Sequence, residues 1–389
     1  MKKIAFISPG YLPLPAVKGG AVETLIDILL DSNEINSNYS IDVYSIEEKN
    51  ILNGNDNINY IYIKNTNKIE KIFRYIFNKY SNKYIGNGYI NKIIKMDKIK
   101  NYDFVIVENK PEYGLILKPF CRGKLIFHSH NDFLNINTKN AKKIFNSFDE
   151  IYCLSKYICN RVSEIDKKNI SKVKLLYNGI DNSKFDIMLA DQKDERAKYG
   201  IKPDDIVFLY TGRLVKEKGI GELIKVFNKI DNDKYKLLIV GSIGYGKNSK
   251  DKFTYELKNL SVNNHNIIFT GFVPYTEIQK VYEIADYGIV PSIWEEPFAL
   301  TVIEHLASGH PVIITNSGGM PELVNENVAK IIDKNHFELE MYNCIMSISK
   351  HQFFEKDQIK KYSRNFSKEK YINRFIELIE GRDNIDGKF

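Results

Sequence analysis

The residues best suited to chemistry lie in PSIWEEPFALTVIEHLASGHPVIITNSGGMPE, residues 291–322. A strand (YGIVP, 287–291) ends there, and a short loop carries Glu295 and Glu296. A helix is expected to begin near Pro297 or Phe298, because proline suits a first helical turn and acidic groups suit the dipole there. The backbone N–H groups of Phe298, Ala299 and Leu300 would then be free for a phosphate or sugar oxygen. They would sit at a strand's carboxyl end, where open α/β sheets bind ligands. Glu304 would lie further along that helix, so that both carboxylates accept hydrogen bonds from one extended ligand. Either glutamate alone reads as a solvated helix residue; the strand, loop and helix around the pair favour the ligand.

TGRLVKEKG (211–219) follows the strand IVFLY, with Arg213 and Lys218 around a turn that enters a helix. An Arg fork and a Lys point charge together suit a diphosphate. Cations are disfavoured at a helix N-terminus, so their placement there calls for a compensating anion. KGGAVE (18–23) opens the first helix, and Gly19 and Gly20 permit close backbone approach to a ligand. GSIGYG (241–246) has neither the GxGxxG order nor a Walker lysine, which disfavours a dinucleotide or P-loop site. FHSHND (127–132) ends another strand, from which His128 and His130 would point the same way but could diverge in a loop; His130 is a candidate for catalysis or substrate orientation, Asp132 a weaker one. The plain alternative for each histidine is a satisfied hydrogen-bonding residue.

These groups need a scaffold, and the chain supplies short β-branched runs separated by helix-length intervals. In the first half they are IAFIS (4–8), IDVYSI (41–46), INYIYI (58–63), DFVIV (103–107), KLIF (124–127), EIYCLS (150–155) and KVKLLYN (172–178). In the second they are IVFLY (206–210), KLLIV (236–240), NIIF (266–269), YGIVP (287–291), PVIIT (311–315) and AKIID (329–333). Continuously apolar runs suit parallel strands covered on both faces. Between them, Val22, Leu25, Ile26 and Leu29, like Ile220, Leu223, Ile224 and Phe227, follow helical spacing. The expectation is α/β architecture twice over: two doubly wound, Rossmann-like domains facing each other across a cleft. The polar stretch 179–205 is the candidate linker. The domains are expected over 1–185, which binds acceptor, and 186–365, which binds nucleotide sugar. A helix over 366–389, with Tyr371, Ile372, Phe375, Ile376 and Ile379 on one stripe, is expected to pack back toward the first domain.

A chain of 389 residues is long for a single core, and 43% hydrophobic with 27% charged residues is a globular composition. No apolar run approaches membrane-spanning length. Lys2 and Lys3 before IAFIS imitate a signal peptide, but the run stops at Pro9 with no small-residue cleavage site. Cys121, Cys153, Cys159 and Cys344 show no zinc-ligand spacing, so reduced thiols in a cytoplasmic protein are expected. The net charge of +7 is uneven, since residues 1–185 hold the whole positive excess. Residues 64–100 carry ten basic residues against Glu70 and Asp97, which suits anionic lipid on the inner face of the cell membrane or an acceptor diphosphate. No nucleic-acid-binding motif accompanies that segment.

At these residues the chain resembles the retaining glycosyltransferases of GT-B fold, family 4 type (glycosyl transferases group 1), over nearly its whole length and most strongly over 206–325. EPFALTVIE supplies the E-x7-E motif as Glu296 and Glu304. GRLVKEKG matches the phosphate-binding Arg and Lys, SGGMPE the Gly-Gly-x-Pro-Glu strand exit, and Gly19-Gly20 the donor-contacting loop. The resemblance implies that Glu296 contacts the donor sugar and Glu304 the ribose. It implies that Arg213 and Lys218 neutralise the diphosphate, helped by the backbone from Phe298 through Ala299 to Leu300. TGFVP, with Gly271, Phe272 and Val273, would meet the nucleobase, and His130 the donor sugar. Members need no metal or other cofactor beyond the donor. Two departures bear on donor identity: Ala299 where glycine is common, and His305 where alanine usually follows the second glutamate.

The leading reading is transfer of a hexose from a nucleoside diphosphate, UDP favoured, to a lipid-linked or saccharide acceptor in cell-surface polysaccharide synthesis. One alternative is a nucleotide-sugar 2-epimerase on the same architecture, betrayed by acceptor-free conversion of the donor. Another is a non-catalytic sugar-nucleotide-binding subunit, which would bind donor without turnover.

Overall fold

The computed structural model describes residues 1–48, 58–64, 86–185, 192–242, 252–348 and 355–382. The chain divides into two compact units: Met1–Asn178 with Tyr371–Phe389, and Gly179–Lys370.

In the first unit seven strands form one sheet: β1 (Lys2–Ile7), β2 (Tyr39–Ile46), β3 (Ile58–Ile63), β4 (Phe104–Glu108), β5 (Lys124–Ser129), β6 (Glu150–Cys153) and β7 (Val173–Leu175). Their order is β3-β2-β1-β4-β5-β6-β7, and every pairing is parallel. Ile4 to Ile7, Val105 to Val107 and Leu125 to Phe127 have no exposed surface, as central parallel strands covered on both faces require. The helix Lys368–Ile379 brings the chain's end back onto this sheet. Phe375 stacks on Phe6 with centroids 6.0 Å apart and meets Tyr152 edge-on.

The second unit repeats the plan with β8 (Ile206–Thr211), β9 (Tyr235–Val240), β10 (Ile267–Gly271), β11 (Tyr287–Val290), β12 (Val312–Thr315) and β13 (Ala329–Ile332). The order is β10-β9-β8-β11-β12-β13, again all parallel. Each of the thirteen apolar runs in the sequence lies on one of these strands. The helix Ile220–Phe227 buries Ile220, Leu223, Ile224 and Phe227 against β8 and β9 through Phe208, Leu237 and Ile239. Strand order reverses between β8 and β11, the kind of switch point at which open α/β sheets bind ligands beyond the strands' carboxyl ends.

The polar stretch 179–205 is not all linker. A short helix, Gln192–Ala197, buries Arg196, whose guanidinium donates to the carbonyls of Ile284 and Asp205 and to Asp286. The second unit's own chain ends pair with each other: Ile180 N–H donates to Phe366, and Lys368 N–H returns to Ile180.

Of the basic segment 64–100, residues 65–85 lie outside the described ones, as do 243–246 of GSIGYG. The described part contains the helix Gly88–Lys95, capped by the Asn87 side chain on Ile90 N–H. Among the described residues no helix is long and apolar enough to cross a membrane. All four cysteines are free.

Candidate active site

The site of the second unit is built where β8 and β11 end. After β8 the chain makes a short turn, Lys216–Lys218, and Gly219 then enters the helix Ile220–Phe227 in the left-handed region at φ 68°. A Cβ on Gly219 would lie 1.9 Å from the Pro291 carbonyl oxygen, so only glycine lets this turn press against the loop after β11. The Ile293 N–H donates to the Glu217 carbonyl at 3.1 Å and ties the two loops together. Lys218 is thereby delivered to Glu296.

Glu296 is 3% exposed, and its Oε1 accepts from three donors: Lys218 Nζ, Ser292 Oγ and Trp294 Nε1 at 2.9 Å. Its Oε2 accepts from no described residue. A buried carboxylate is costly unless paired and hydrogen-bonded, and Lys218 with two neutral donors meets that need on one oxygen. The Gly318-Gly319 strand exit holds the backbone of the same residue: Gly319 N–H donates to the Glu296 carbonyl at 2.7 Å. Glu295 is bound separately, by Gly318 N–H at 2.6 Å and by Lys334. Thr315 and Ser317 hydroxyls both donate to the Ser292 carbonyl.

The helix after this loop starts later than expected. It spans Leu300–Ala307 with Ala299 as its N-cap, so Pro297 and Phe298 belong to the loop and not to the first turn. The loop's ties to Gly318, Gly319 and Ser292 outweigh proline's preference for a first turn. Val302 N–H already closes on the Ala299 carbonyl at 3.0 Å.

Glu304, one turn into the helix, has partners of its own. Tyr282 Oη donates to its Oε2 at 2.7 Å and Tyr275 Oη approaches Oε1 at 3.4 Å. Burial raises the Glu304 carboxyl above its ordinary range, and the two tyrosine hydrogen bonds oppose that rise. Tyr282 is itself fixed by Thr211 Oγ1 at 2.8 Å and by the edge of Phe185. The two glutamates thus stand in separate hydrogen-bond sets on one loop and helix.

Arg213 is exposed and its side chain makes no hydrogen bond or ion pair with any described residue. Tyr210 Oη donates to its carbonyl at 2.8 Å and so anchors its backbone. Gly271 closes β10 at φ 78°, followed by half-buried Val273 and exposed Phe272. His305 occupies no ligand position. It is fully buried against Tyr282, 4.8 Å between centroids, in space that Gly288 leaves: a Cβ there would lie 2.4 Å from the imidazole. Burial pushes that imidazole down to about 3, so it is neutral.

In the first unit Gly19 and Gly20 precede the helix Ala21–Leu30, and the Glu23 carboxylate folds back against Gly20. His128 and His130 do not diverge; their rings are 4.2 Å apart and converge on Glu108 at the end of β4. His130 Nε2 meets Glu108 Oε2 at 2.8 Å, while His128 Nδ1 lies 3.0 Å from the same oxygen without hydrogen-bond alignment. Burial alone would raise the Glu108 carboxyl, but the two histidines win and hold it down to about 2. Burial, joined by His128, pushes the His130 imidazole down to about 4 against the pull of Glu108. The His130 side chain is 1% exposed, and Tyr371 lies over His128 with centroids 6.2 Å apart. Asp132 pairs with Arg161 at 2.6 Å instead of facing a ligand.

Two groups among the described residues hold ligand atoms close enough for one ion: Glu108 with His128 and His130, and Asp333 with His336 and Glu340. The residues that sequence reading passed over are Glu108, Ser292, Trp294, Tyr275 and Tyr282. Glu108 directly follows the run DFVIV and Tyr282 lies in the mixed helix IQKVYE, where no motif marks either; only Trp294, beside Glu296, had a local signal.

Residues 191–343 match the family model of glycosyl transferases group 1. The chain is 26% identical over 383 residues to a putative glycosyltransferase, YtcC, of Bacillus subtilis, across 94% of this chain and 87% of that one. It is 25% identical to a lipopolysaccharide 1,2-N-acetylglucosaminetransferase of Salmonella typhimurium, across 98% of each. Among solved structures, Anabaena Alr3699/HepE in complex with UDP and glucose superposes with a TM-score of 0.75 at 17% identity, covering 98% of this chain and all of that one. A glycosyltransferase from Rickettsia africae gives 0.76 at 20% identity, covering 98% of this chain and 99% of that one. The fold is that of the GT-B glycosyltransferases.

Proposed function

We propose that this chain, a glycosyltransferase of group 1, moves a hexose from a nucleoside-diphosphate donor to a lipid-linked or oligosaccharide acceptor, with retention of configuration, in cell-surface polysaccharide synthesis. The observation that carries this reading is the Glu296 carboxylate, with Oε1 saturated by Lys218, Ser292 and Trp294 and Oε2 left for a substrate hydroxyl. The exposed, unpaired Arg213, in the segment after β8 that also carries Lys218, suits a leaving diphosphate, and Lys218 shares that charge. Glu304, presented by Tyr282 and Tyr275, grips the ribose. Gly271, Phe272 and Val273 meet the nucleobase, and the backbone at Phe298, Ala299 and Leu300 meets sugar and phosphate. In this reading no metal is required, because Arg213 and Lys218 supply the positive charge that the departing diphosphate needs. UDP is the favoured nucleotide, in keeping with the UDP-glucose complex of the Anabaena protein.

The first unit takes the acceptor; Gly19 and Gly20 keep the role of a donor-contacting loop and His130 that of a donor-sugar contact, although the His130 side chain is 1% exposed and bound to Glu108. Its basic segment 64–100 takes anionic lipid at the inner face of the cell membrane, with no role for nucleic acid.

A thermal-shift panel of UDP-, GDP- and ADP-sugars tests the donor reading, because a ligand of the folded form raises the melting temperature. A shift with one nucleotide sugar is expected; no shift with any sugar nucleotide or free nucleotide sinks it. Acceptor-free conversion of the bound donor to an epimer would replace transfer by epimerisation.

A further inference from the structure

We propose that Trp294 is the platform on which the donor's sugar ring lies, next to the Glu296 carboxylate. This rests on the donor-binding reading of the second unit. The chain contains one tryptophan, and its indole N–H is spent on Glu296 Oε1 at 2.9 Å. That bond fixes the ring's edge, yet Trp294 remains 39% exposed, with Ile293 beside it 37% exposed.

This exposure does not come from a loose loop. Ser292 before it is fully buried, and its carbonyl is held by two hydroxyls, from Thr315 at 2.5 Å and Ser317 at 3.0 Å. Ile293 N–H is held by Glu217, and Glu295 after it by Gly318 N–H and Lys334. A large aromatic held half-open by backbone pinned on both sides keeps apolar surface in water, which folding ordinarily removes.

A hexopyranose supplies the matching chemistry. Its C–H-rich face needs an apolar partner, and the hydroxyls at its rim need acceptors. An aromatic face with a carboxylate at its edge offers both within one site. The indole N–H, with Lys218 and Ser292, occupies Oε1 and leaves Oε2 for a sugar hydroxyl. Trp294 therefore touches the sugar and not the nucleotide, and it selects donors by the apolar face of their hexose.

Because the tryptophan is unique, its fluorescence reports this position alone. Acrylamide quenching is measured on the full chain with UDP-glucose, UDP-galactose, UDP-N-acetylglucosamine and GDP-mannose, each against its own nucleoside diphosphate. The nucleotide sugar that gives a thermal shift is expected to protect Trp294 from quenching, and its nucleoside diphosphate is not. Kinetics give an independent readout: Trp294→Leu is expected to raise the donor KM about tenfold, while inhibition by the nucleoside diphosphate stays unchanged. Trp294→Phe, which keeps an aromatic face, should recover most of that KM. Equal protection by both ligands, or a Trp294→Leu variant in which KM and nucleotide inhibition weaken together, overturns the platform. A thermal shift with no protection overturns it while leaving the donor reading intact. No thermal shift with any UDP-, GDP- or ADP-sugar or free nucleotide overturns both.

Discussion

Lys218 and Glu296 are 78 residues apart in the chain and form an ion pair where two loops meet in the second unit. The lysine is 24% exposed and the carboxylate 4%, so this pair is screened far less than a surface bridge. Removing one partner leaves the other without its counter-charge. Lys218→Met is expected to cost about 2–3 kcal/mol of stability and at least tenfold in kcat/KM for the donor. Adding Glu296→Gln should restore much of the stability and none of the activity. A double-mutant cycle on melting temperature and turnover reads both, and additive stability losses would mean that the pair is not coupled.

Glu296→Ala alone is expected to abolish transfer with the fold retained, since Ser292, Gly318 and Gly319 still hold the loop. Near-wild-type turnover by this variant would remove Glu296 from the chemistry.

Tyr282→Phe deletes the hydroxyl shared by Glu304 and Thr211. Losing a buried hydrogen bond to a carboxylate is expected to cost about 1–3 kcal/mol and to raise the donor KM. The pH effect has a definite sign. Burial already raises the Glu304 carboxyl and Tyr282 opposes this, so the variant's carboxyl rises further. As pH falls, donor affinity should be lost at a higher pH in Tyr282→Phe than in wild type. Superimposable pH profiles of KM would separate Tyr282 from Glu304.

Gly318 sits at φ 55°, and a Cβ there would lie 2.1 Å from the Glu296 carbonyl oxygen. Gly318→Ala must displace the Glu296 loop, at about 2 kcal/mol or more and with most of the activity. Gly200→Ala is the control: its φ is 69°, but nothing lies within 4 Å of the added carbon. It should show a smaller loss of melting temperature and full turnover.

Asp27, in the first unit, accepts Ala16 N–H on Oδ2 at 2.7 Å, while Oδ1 is buried with no partner among the described residues. Burial pushes its carboxyl up from 3.8 to about 7. Between those values the folded chain keeps a proton that the unfolded chain has released. Stability is therefore lost as pH rises through that window, by about 2 kcal/mol once partial water access is allowed for. Asp27→Asn keeps the acceptor and cannot ionise. Its melting temperature should gain on the wild type from pH 5 to pH 8, and a constant gap would place the Asp27 carboxyl at its ordinary value.

The sequence by itself determined the two sheets, because a continuously apolar β-branched run is satisfied only by burial on both faces. It also located Glu296, Glu304, Arg213 and Lys218 in the segments that follow β8 and β11, because a change from apolar run to polar loop is legible in one stretch of chain. What it left open is what each of those groups touches. That Lys218 reaches Glu296 depends on Gly219 lying against Pro291, from a different strand–loop unit. His305 looked like an intruder on the helix after Glu296 until Gly288 in β11 proved to leave its space. The same holds for Glu108, one residue past the run DFVIV and found to be the partner of His130, and for Tyr282, marked by no motif and found to hold Glu304. Periodicity reports which face of an element is buried, but a hydrogen bond needs two atoms within about 3 Å from distant parts of the chain. Only the packing of one loop on another decides that.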